Sequence, residues 1–239
     1  MLSKTLLLRH LGMMQYTKAM SIMKQAEQSK KDFLRGHTKY EPPDTLFICE
    51  HKPVYTIGMR TQKYVDPDIA SELQKLGAEF YFTDRGGLIT FHGPGQLVCY
   101  PVINLKNFTP GVRWYICKLE EVLIKTCTQF GIDAKRTSDV GIWVGENKIA
   151  AVGIHCSRYI TSHGIALNCN TDLSWFDHIV PCGIEDKGVT SLSKELGRNI
   201  DTEETWPVVV KKMEDVFGCQ VIQDEDSFAD SASDLNRYW

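Results

Sequence analysis

Short strand-like segments alternate with helical ones over most of the 239 residues, and this order limits the folds open to the chain more than any other feature. Aromatic and β-branched residues predict strands at residues 5–9, 45–49, 54–57, 80–83, 88–92, 97–102, 140–144, 148–155 and 164–169. The stretch Gly145-Glu146-Asn147 predicts a hairpin with a three-residue loop. A purely parallel, doubly wound sheet would lack hairpins. We therefore predict an α/β (α+β) fold with helices packed against a mixed β-sheet.

Helices are predicted from apolar spacing and from end signals. One apolar stripe runs through residues 116–130 and would end at Gly131. A capping-box pattern opens a second helix at residues 201–217, with Gly218 as its end. Asp-Pro at residues 66–67 predicts the start of a third helix.

Composition excludes several classes of protein. Apolar residues make up 43% of the chain and charged residues 24%, which is typical of globular domains. The net charge of −3 is opposite in sign to that of a general nucleic-acid binder, and no apolar run is long enough to span a bilayer. We predict one globular domain at residues 1–223, an acidic and mobile tail at residues 224–239, and neither nucleic-acid nor membrane partners.

Eight cysteines contain no Cys-x-x-Cys pair and follow no regular spacing. This pattern indicates a reducing compartment in which most thiols act as small core residues. The segment 155–182 holds three cysteines and three histidines, but it lacks the close ligand pairs of structural zinc sites. We predict no metal.

The stretch DRGGLITFHGPGQ at residues 84–96 contains four glycines around one short strand. Glycines at this density let a backbone approach a ligand closely, or form tight turns around a hairpin. The lysine that follows glycine in a phosphate-binding loop is missing. These residues alone leave both interpretations open.

Cys182 lies between Pro181 and Gly183 in a predicted loop, a setting that can present a side chain to a ligand. A cysteine nucleophile needs a nearby cation or base, because a free thiol is largely protonated at neutral pH. His178, Lys187 and Lys148 are all conceivable partners, and the sequence does not choose among them.

Four segments together resemble the signature of the lipoyl(octanoyl) transferase family, and most closely its animal mitochondrial members. They read RGGLITFHGPGQ from residue 85, KIAAVGI from residue 148, HGIALN from residue 163 and PCG from residue 181. The resemblance spans about residues 5–220. It implies the catalytic-domain fold of biotin and lipoate protein ligases and a mitochondrial location, with a cytoplasmic location as the alternative. It also implies transfer of an octanoyl group from acyl carrier protein to one lysine of a lipoyl domain, the first step of protein lipoylation.

The same resemblance implies roles for individual residues. Cys182 would be the acyl-accepting nucleophile, forming a thioester intermediate, and Lys148 its activating partner. The implied substrate-binding residues are Arg85, Gly86, Gly87, Leu88, Ile89, Thr90, Phe91, His92, Ala151, Val152, Gly153, Gly164, Ile165 and Ala166. Phe91 stands where many relatives have tyrosine.

No cofactor is expected, since the acyl donor carries its own phosphopantetheine on the acyl carrier protein. The acceptors would be lipoyl domains of 2-oxoacid dehydrogenase E2 subunits and the glycine cleavage H protein, and the chain would be a monomer. Because the net charge gives no overall steering, we predict a local basic patch formed by Arg60, Lys63, Arg85, Arg158 and Lys187. An ATP-dependent lipoate-protein ligase and a non-catalytic acyl-binding or adaptor protein are the alternatives.

Overall fold

A computed structural model describes residues 4–59, 68–179 and 187–224. The strands are β1 Lys4–Met14, β2 Thr45–His51, β3 Val54–Ile57, β4 Glu79–Phe82, β5 Ile89–His92, β6 Gln96–Val102, β7 Ile142–Val144, β8 Asn147–Ser157, β9 Ile160–Asn168, β10 Gly188–Val189 and β11 Cys219–Gln223. The helices are α1 Tyr16–Leu34, α2 Ile69–Lys75, α3 Val112–Gln129, α4 Leu192–Leu196 and α5 Thr202–Phe217. Short 3-10 helices lie at Leu105–Asn107 and Leu173–His178.

The strands form two sheets. The larger has the order β10-β8-β9-β6-β2-β1-β11, with β7 also paired to β8, and the smaller has the order β4-β3-β5. Parallel pairs such as β1–β2 and antiparallel pairs such as β6–β9 occur in the same sheet. The predicted mixed sheet with packed helices is therefore confirmed.

Alternation along β6 divides the core of the larger sheet into two layers. Leu97 and Cys99 pack in the cluster that also holds the apolar faces of α3 and α5. Val98 and Tyr100 belong to the cluster on the opposite face, with Met23 of α1. Successive side chains of a strand point to opposite faces, so one strand can contribute to both layers. The large sheet thus lies between α1 on one side and α3 with α5 on the other.

The smaller sheet has its own apolar cluster, centred on Tyr55, Phe91 and Phe176. The Tyr55 hydroxyl donates a hydrogen bond of 2.6 Å to the backbone oxygen of Trp175, which ties this sheet to the second 3-10 helix. This packing holds β5 and the glycine-rich stretch beside the larger sheet.

Two hairpins differ from the sequence prediction. In the first, Val144 pairs with Asn147, so the loop has two residues and Asn147 begins β8. In the second, β8 and β9 are joined by Arg158 and Tyr159, whose φ angles of +55° and +69° are those of a type I′ turn. Neither residue is a usual choice for such a turn, which is why composition did not indicate it.

The predicted tail and one predicted helix start fall only partly within the described residues. Asp224, the first residue of the predicted tail, accepts a hydrogen bond of 2.7 Å from Arg9 Nε and donates its backbone N–H to Leu8 O. The remaining tail, residues 225–239, and the predicted helix start at residues 66–67 lie outside the described residues. No helix in the described ranges is both long enough and apolar enough to cross a membrane.

Candidate active site

A cavity of about 530 Å³ lies where the two sheets meet. Its wall comes from β5 and the loop before it, from the middle of β6, β8 and β9, and from the first turns of α1 and α3. This volume is in the range of pockets that bind one small ligand, about 300–1,000 Å³.

The loop at residues 85–88 forms one wall of this cavity and is held by buried hydrogen bonds. The Gly86 N–H donates to the backbone oxygen of Ile154 at 2.9 Å, which joins the loop to β8. The Arg85 guanidinium donates to the backbone oxygens of Thr56 and Leu88 at 2.7 and 2.9 Å. Arg85 is thus a structural link between the loop and the small sheet.

The predicted basic patch is wrong in its inclusion of Arg85, because this side chain is buried and bonded to carbonyl groups. Arg60 and Lys63 lie outside the described residues. Arg158 is exposed at the β8–β9 turn, and Lys187 pairs with Asp139 at 3.2 Å. Of the five cations, Arg158 and Lys187 therefore remain as candidates within the described residues.

Asp84 fastens the start of the same loop to two other elements. Its carboxylate accepts hydrogen bonds from Lys24 Nζ of α1 at 2.5 Å and from His163 Nε2 of β9 at 2.8 Å. The hydrogen bond from His163, followed by that from Lys24, holds the pKa of the Asp84 carboxyl well below its usual range. Burial lowers the pKa of His163, so a neutral imidazole donates to an ionised carboxylate.

We expect Asp84→Asn to reduce the free energy of unfolding by about 1 kcal/mol at neutral pH, since half-exposed ion pairs contribute little more than this. The folded-state pKa of Asp84 is lowered, so its contribution is complete above about pH 5 and is lost as the pH falls below about 4. Urea titrations between pH 7 and 3 measure the difference between the two proteins. Glu72→Gln, at an exposed position of α2, is the control and should change the free energy of unfolding at neutral pH by no more than about 0.5 kcal/mol. A difference that stays constant down to pH 3 would contradict this role.

Small residues on β8 and β9 leave the space that the cavity occupies. Ala151 pairs with Ala166 across the two strands, and Gly153 pairs with Gly164. A Cβ on Gly164 would lie 2.2 Å from Cys99 O, so β6 and β9 approach each other too closely for any side chain here. The small residues therefore let β6 and β9 pack closely, and they also leave the cavity empty of side chains.

Two buried imidazoles lie beside the cavity and are neutral at physiological pH. Burial, reinforced by neighbouring His51, lowers the pKa of His92 to about 3. Burial lowers the pKa of His51 to about 4, and its Nε2 is 2.8 Å from the Tyr100 hydroxyl. His92 Nδ1 lies 2.7 Å from Oε1 of Gln96, whose amide nitrogen donates to other oxygens, so Nδ1 carries the proton and Nε2 is an acceptor.

Lys148, one of the two predicted catalytic residues, lies at the start of β8, is buried and lines the cavity. Its Nζ is 4.8 Å from the centre of the Trp143 ring on the neighbouring strand β7. The Gly141 backbone passes close by: a Cβ added to Gly141 would lie 3.1 Å from Lys148 Cε and 3.5 Å from Lys148 Nζ. Cys182, the other predicted catalytic residue, lies outside the described residues together with Pro181 and Gly183.

The fourteen predicted substrate-binding residues come from three separate segments, and all except Phe91 line this one cavity. The Phe91 ring is fully buried and stacks on Trp175, with ring centres 5.1 Å apart and planes at 5°. It supports β5 from the side of the small-sheet core. Assignment of the other thirteen to substrate binding stays a prediction.

Several further residues line the cavity without having been selected from the sequence. Tyr16, Val112 and Ile116 sit on helices, where apolar spacing indicates core packing just as well. His155 and His163 belong to the histidine-rich segment that was considered for a metal. The enrichment in histidine was the sequence signal that could have selected these two residues. No group of three or more potential metal ligands occurs in the described ranges.

Most of the described cysteines behave as core residues, as expected. Cys49, Cys99, Cys127 and Cys169 are buried, and burial raises the pKa of each thiol. Cys156 is half-buried and lines the cavity, and burial raises the pKa of its thiol as well. A thiol with a raised pKa is a poor nucleophile at neutral pH.

A mixed sheet with helices on both faces and a glycine-lined pocket beside a lysine defines a domain that can bind a small ligand. The chain belongs to the lipoyl protein ligase A/B catalytic domain family, whose model matches residues 25–214. It is 55% identical over 210 residues to the mitochondrial octanoyl-[acyl-carrier-protein]:protein N-octanoyltransferase of Danio rerio, covering 88% of this chain and 91% of that protein. The corresponding Homo sapiens protein is 44% identical over 184 residues, covering 75% of this chain and 79% of that protein.

Among solved structures, the chain is similar to lipoate-protein ligase A bound with ATP, with a TM-score of 0.69 and 17% identity over 99% of this chain and 93% of that one. At this identity the likeness concerns the fold alone. The family, the ligase-like fold class, an octanoyltransferase activity in protein lipoylation and a mitochondrial location are confirmed by these comparisons.

Proposed function

We propose that the chain transfers an octanoyl group in two steps, through a thioester on Cys182, with Lys148 as the partner of that thiol. The observation that supports this most is the shared cavity: Lys148 and thirteen of the fourteen predicted substrate-binding residues line it. A lysine exposed on a hairpin would be an ordinary surface charge. This one is buried beside small residues that leave room for an acyl chain.

In the first step, the Cys182 thiolate attacks the carbonyl carbon of the octanoyl thioester. The bond from that carbon to the sulfur of the donor's phosphopantetheine breaks, and the departing thiolate takes a proton from the Lys148 ammonium, which leaves the Lys148 amine neutral for the second step. The ammonium of Lys148 favours the Cys182 thiolate by charge. One thioester replaces another, so the acyl group stays activated.

In the second step, the amine of the acceptor lysine attacks the Cys182 thioester. An amide bond forms, the bond to Cys182 breaks, and the sulfur leaves as a thiolate. The attacking amine must lose a proton, and we assign that proton to neutral Lys148. Backbone N–H groups near Gly153 or Gly183 are the proposed donors to the oxyanion in both steps.

The proposed donor is octanoyl-acyl carrier protein, and the proposed acceptors are lipoyl domains of 2-oxoacid dehydrogenase E2 subunits and the glycine cleavage H protein. The names of the relatives from Danio rerio and Homo sapiens support the donor. We propose further that the enzyme acts as a monomer and needs no cofactor of its own.

Incubation with octanoyl-acyl carrier protein, followed by peptide mass spectrometry, tests the intermediate directly. We expect one octanoyl adduct on Cys182 that hydroxylamine removes, and no adduct or product with Cys182→Ala. Cys156→Ala is the matched control, because Cys156 lines the described cavity but has a thiol of raised pKa. An adduct on Cys156, or full activity of the Cys182→Ala protein, would contradict the proposal.

The same assay separates a transferase from an ATP-dependent ligase. A transferase forms its product from octanoyl-acyl carrier protein without ATP, whereas a ligase needs ATP and free acid and tolerates loss of Cys182. We expect ATP to have no effect on product formation.

A further inference from the structure

The ring of Trp143 contacts two lysines that belong to different parts of the chain. Lys148 Nζ and Lys187 Nζ each lie 4.8 Å from the ring centre. Both distances are within the roughly 6 Å at which an ammonium is attracted to the face of an aromatic ring. Trp143 and Lys148 are directly opposite each other in the β7–β8 pair, so the contact follows from the strand register.

Trp143 itself is rigidly held. It is buried, and its backbone exchanges two hydrogen bonds with Lys135, at 2.8 and 2.9 Å. The indole Nε1 donates to the backbone oxygen of Asp139 at 3.3 Å. A ring held in this way is a rigid surface, and a lysine side chain packed against it is limited to fewer rotamers.

Several charged side chains lie near the two lysines that contact the Trp143 ring. Lys187 has carboxylate partners, Asp139 at 3.2 Å and Glu146 at 3.8 Å. Lys148 lines the cavity, as do Arg85 and Asp139. Lys187 lies against the same ring and repels an ammonium at Lys148, and the aromatic face in contact with Lys148 offsets part of that repulsion.

We propose that Trp143 is a positioning residue that holds the Lys148 ammonium at the cavity wall through its ring face. The inference rests on the proposed role of Lys148 in octanoyl transfer. Trp143 does not line the cavity and acts through Lys148. It acts by limiting the positions of Lys148 and by favouring its charged form.

Trp143→Leu removes the ring, and Trp143→Phe keeps a smaller ring with a weaker attraction for cations. We expect kcat for octanoyl transfer to fall about 10-fold in the leucine variant and about 3-fold in the phenylalanine variant, with KM within about 2-fold of its starting value. Trp206→Leu on α5, a helix that contributes no residue to the cavity wall, is the matched control and should change neither.

A second measurement does not depend on activity. Acetic anhydride labelling of Lys148, followed by peptide mass spectrometry at several pH values, gives the pH at which half of the lysine is reactive. This midpoint should fall in Trp143→Leu and recover partly in Trp143→Phe. Mere loosening of the structure would instead raise the labelling rate at every pH without moving the midpoint.

If Trp143→Leu does not fold, incorporation of difluorotryptophan replaces it. Fluorine weakens the attraction of the ring face for a cation and keeps the shape of the ring. Trp143→Phe protein grown in the same way controls for the other four tryptophans. An unchanged midpoint in the fluorinated protein would overturn the inference. A shifted midpoint with unchanged kcat would support the contact and contradict instead the proposed role of Lys148.

Discussion

Replacement of Lys148 with methionine is expected to lower kcat for octanoyl transfer by about 10³-fold, since a positioned acid–base group contributes roughly 10²–10⁴-fold. Methionine keeps an unbranched apolar chain at this buried position and removes only the charge and the titratable nitrogen. Quenched-flow measurement of thioester formation and of transfer to the acceptor gives the two steps separately. Both should slow, the first through loss of the ammonium and the second through loss of the base.

Lys187→Met is the matched control for this prediction. Lys187 lies at the same 4.8 Å from the Trp143 ring but, unlike Lys148, does not line the described cavity. We expect its kcat to stay within about 5-fold at moderate salt. An equal fall in kcat in the two variants would mean that kcat depends on positive charge near Trp143 and not on Lys148 in particular. It would contradict the specific role proposed for Lys148.

Gly164→Ala is expected to reduce the free energy of unfolding by about 3 kcal/mol, at the upper end of what overpacking usually costs. The new Cβ would lie 2.2 Å from Cys99 O and 2.7 Å from Pro101 Cδ. These atoms belong to β6, which is paired to β9, so relief requires the two strands to move apart beside the cavity. For a chain of this size the loss corresponds to a fall in Tm of about 6–12 °C, measurable by calorimetry.

Gly86→Ala is the comparison for this stability measurement, because Gly86 also lines the cavity. Its Cβ would meet Ile154 O at 3.5 Å, an ordinary contact. We expect a change within about 1 kcal/mol. If Gly164→Ala were equally mild, the close approach of β6 and β9 would not be a fixed feature of the fold.

Much of the fold was predictable where local chemistry and tertiary structure agree. The capping interaction of Asp201 with the Glu204 N–H at 2.8 Å and the left-handed Gly218 stand at the two ends of α5 as predicted. Strand β11 was missed, because Cys219–Gln223 pairs only with β1, more than 200 residues earlier in the sequence. The turn at Arg158 and Tyr159 was missed because neither residue type favours the left-handed conformation that the hairpin imposes on them.

The candidate site, like the fold, was only partly predictable from the sequence. Glycine-rich composition and motif resemblance selected three segments, and thirteen of their fourteen named residues line one cavity. Phe91 was the exception, because it packs into the small-sheet core rather than against the cavity. Tyr16 could not be distinguished from a core residue, because its role as part of the wall depends on where α1 packs.

Local patterns along the chain were enough for the mixed sheet, and the motif resemblance was enough for the family and for the choice of a lysine and a cysteine as the reacting groups to test. The packing of distant segments alone settled which side chains share a wall with Lys148, that Arg85 is an internal link, and that an indole faces the ammonium. The reason is physical. Helix ends and motifs depend on neighbours in sequence, whereas desolvation, hydrogen-bond partners and cavity shape depend on neighbours in space.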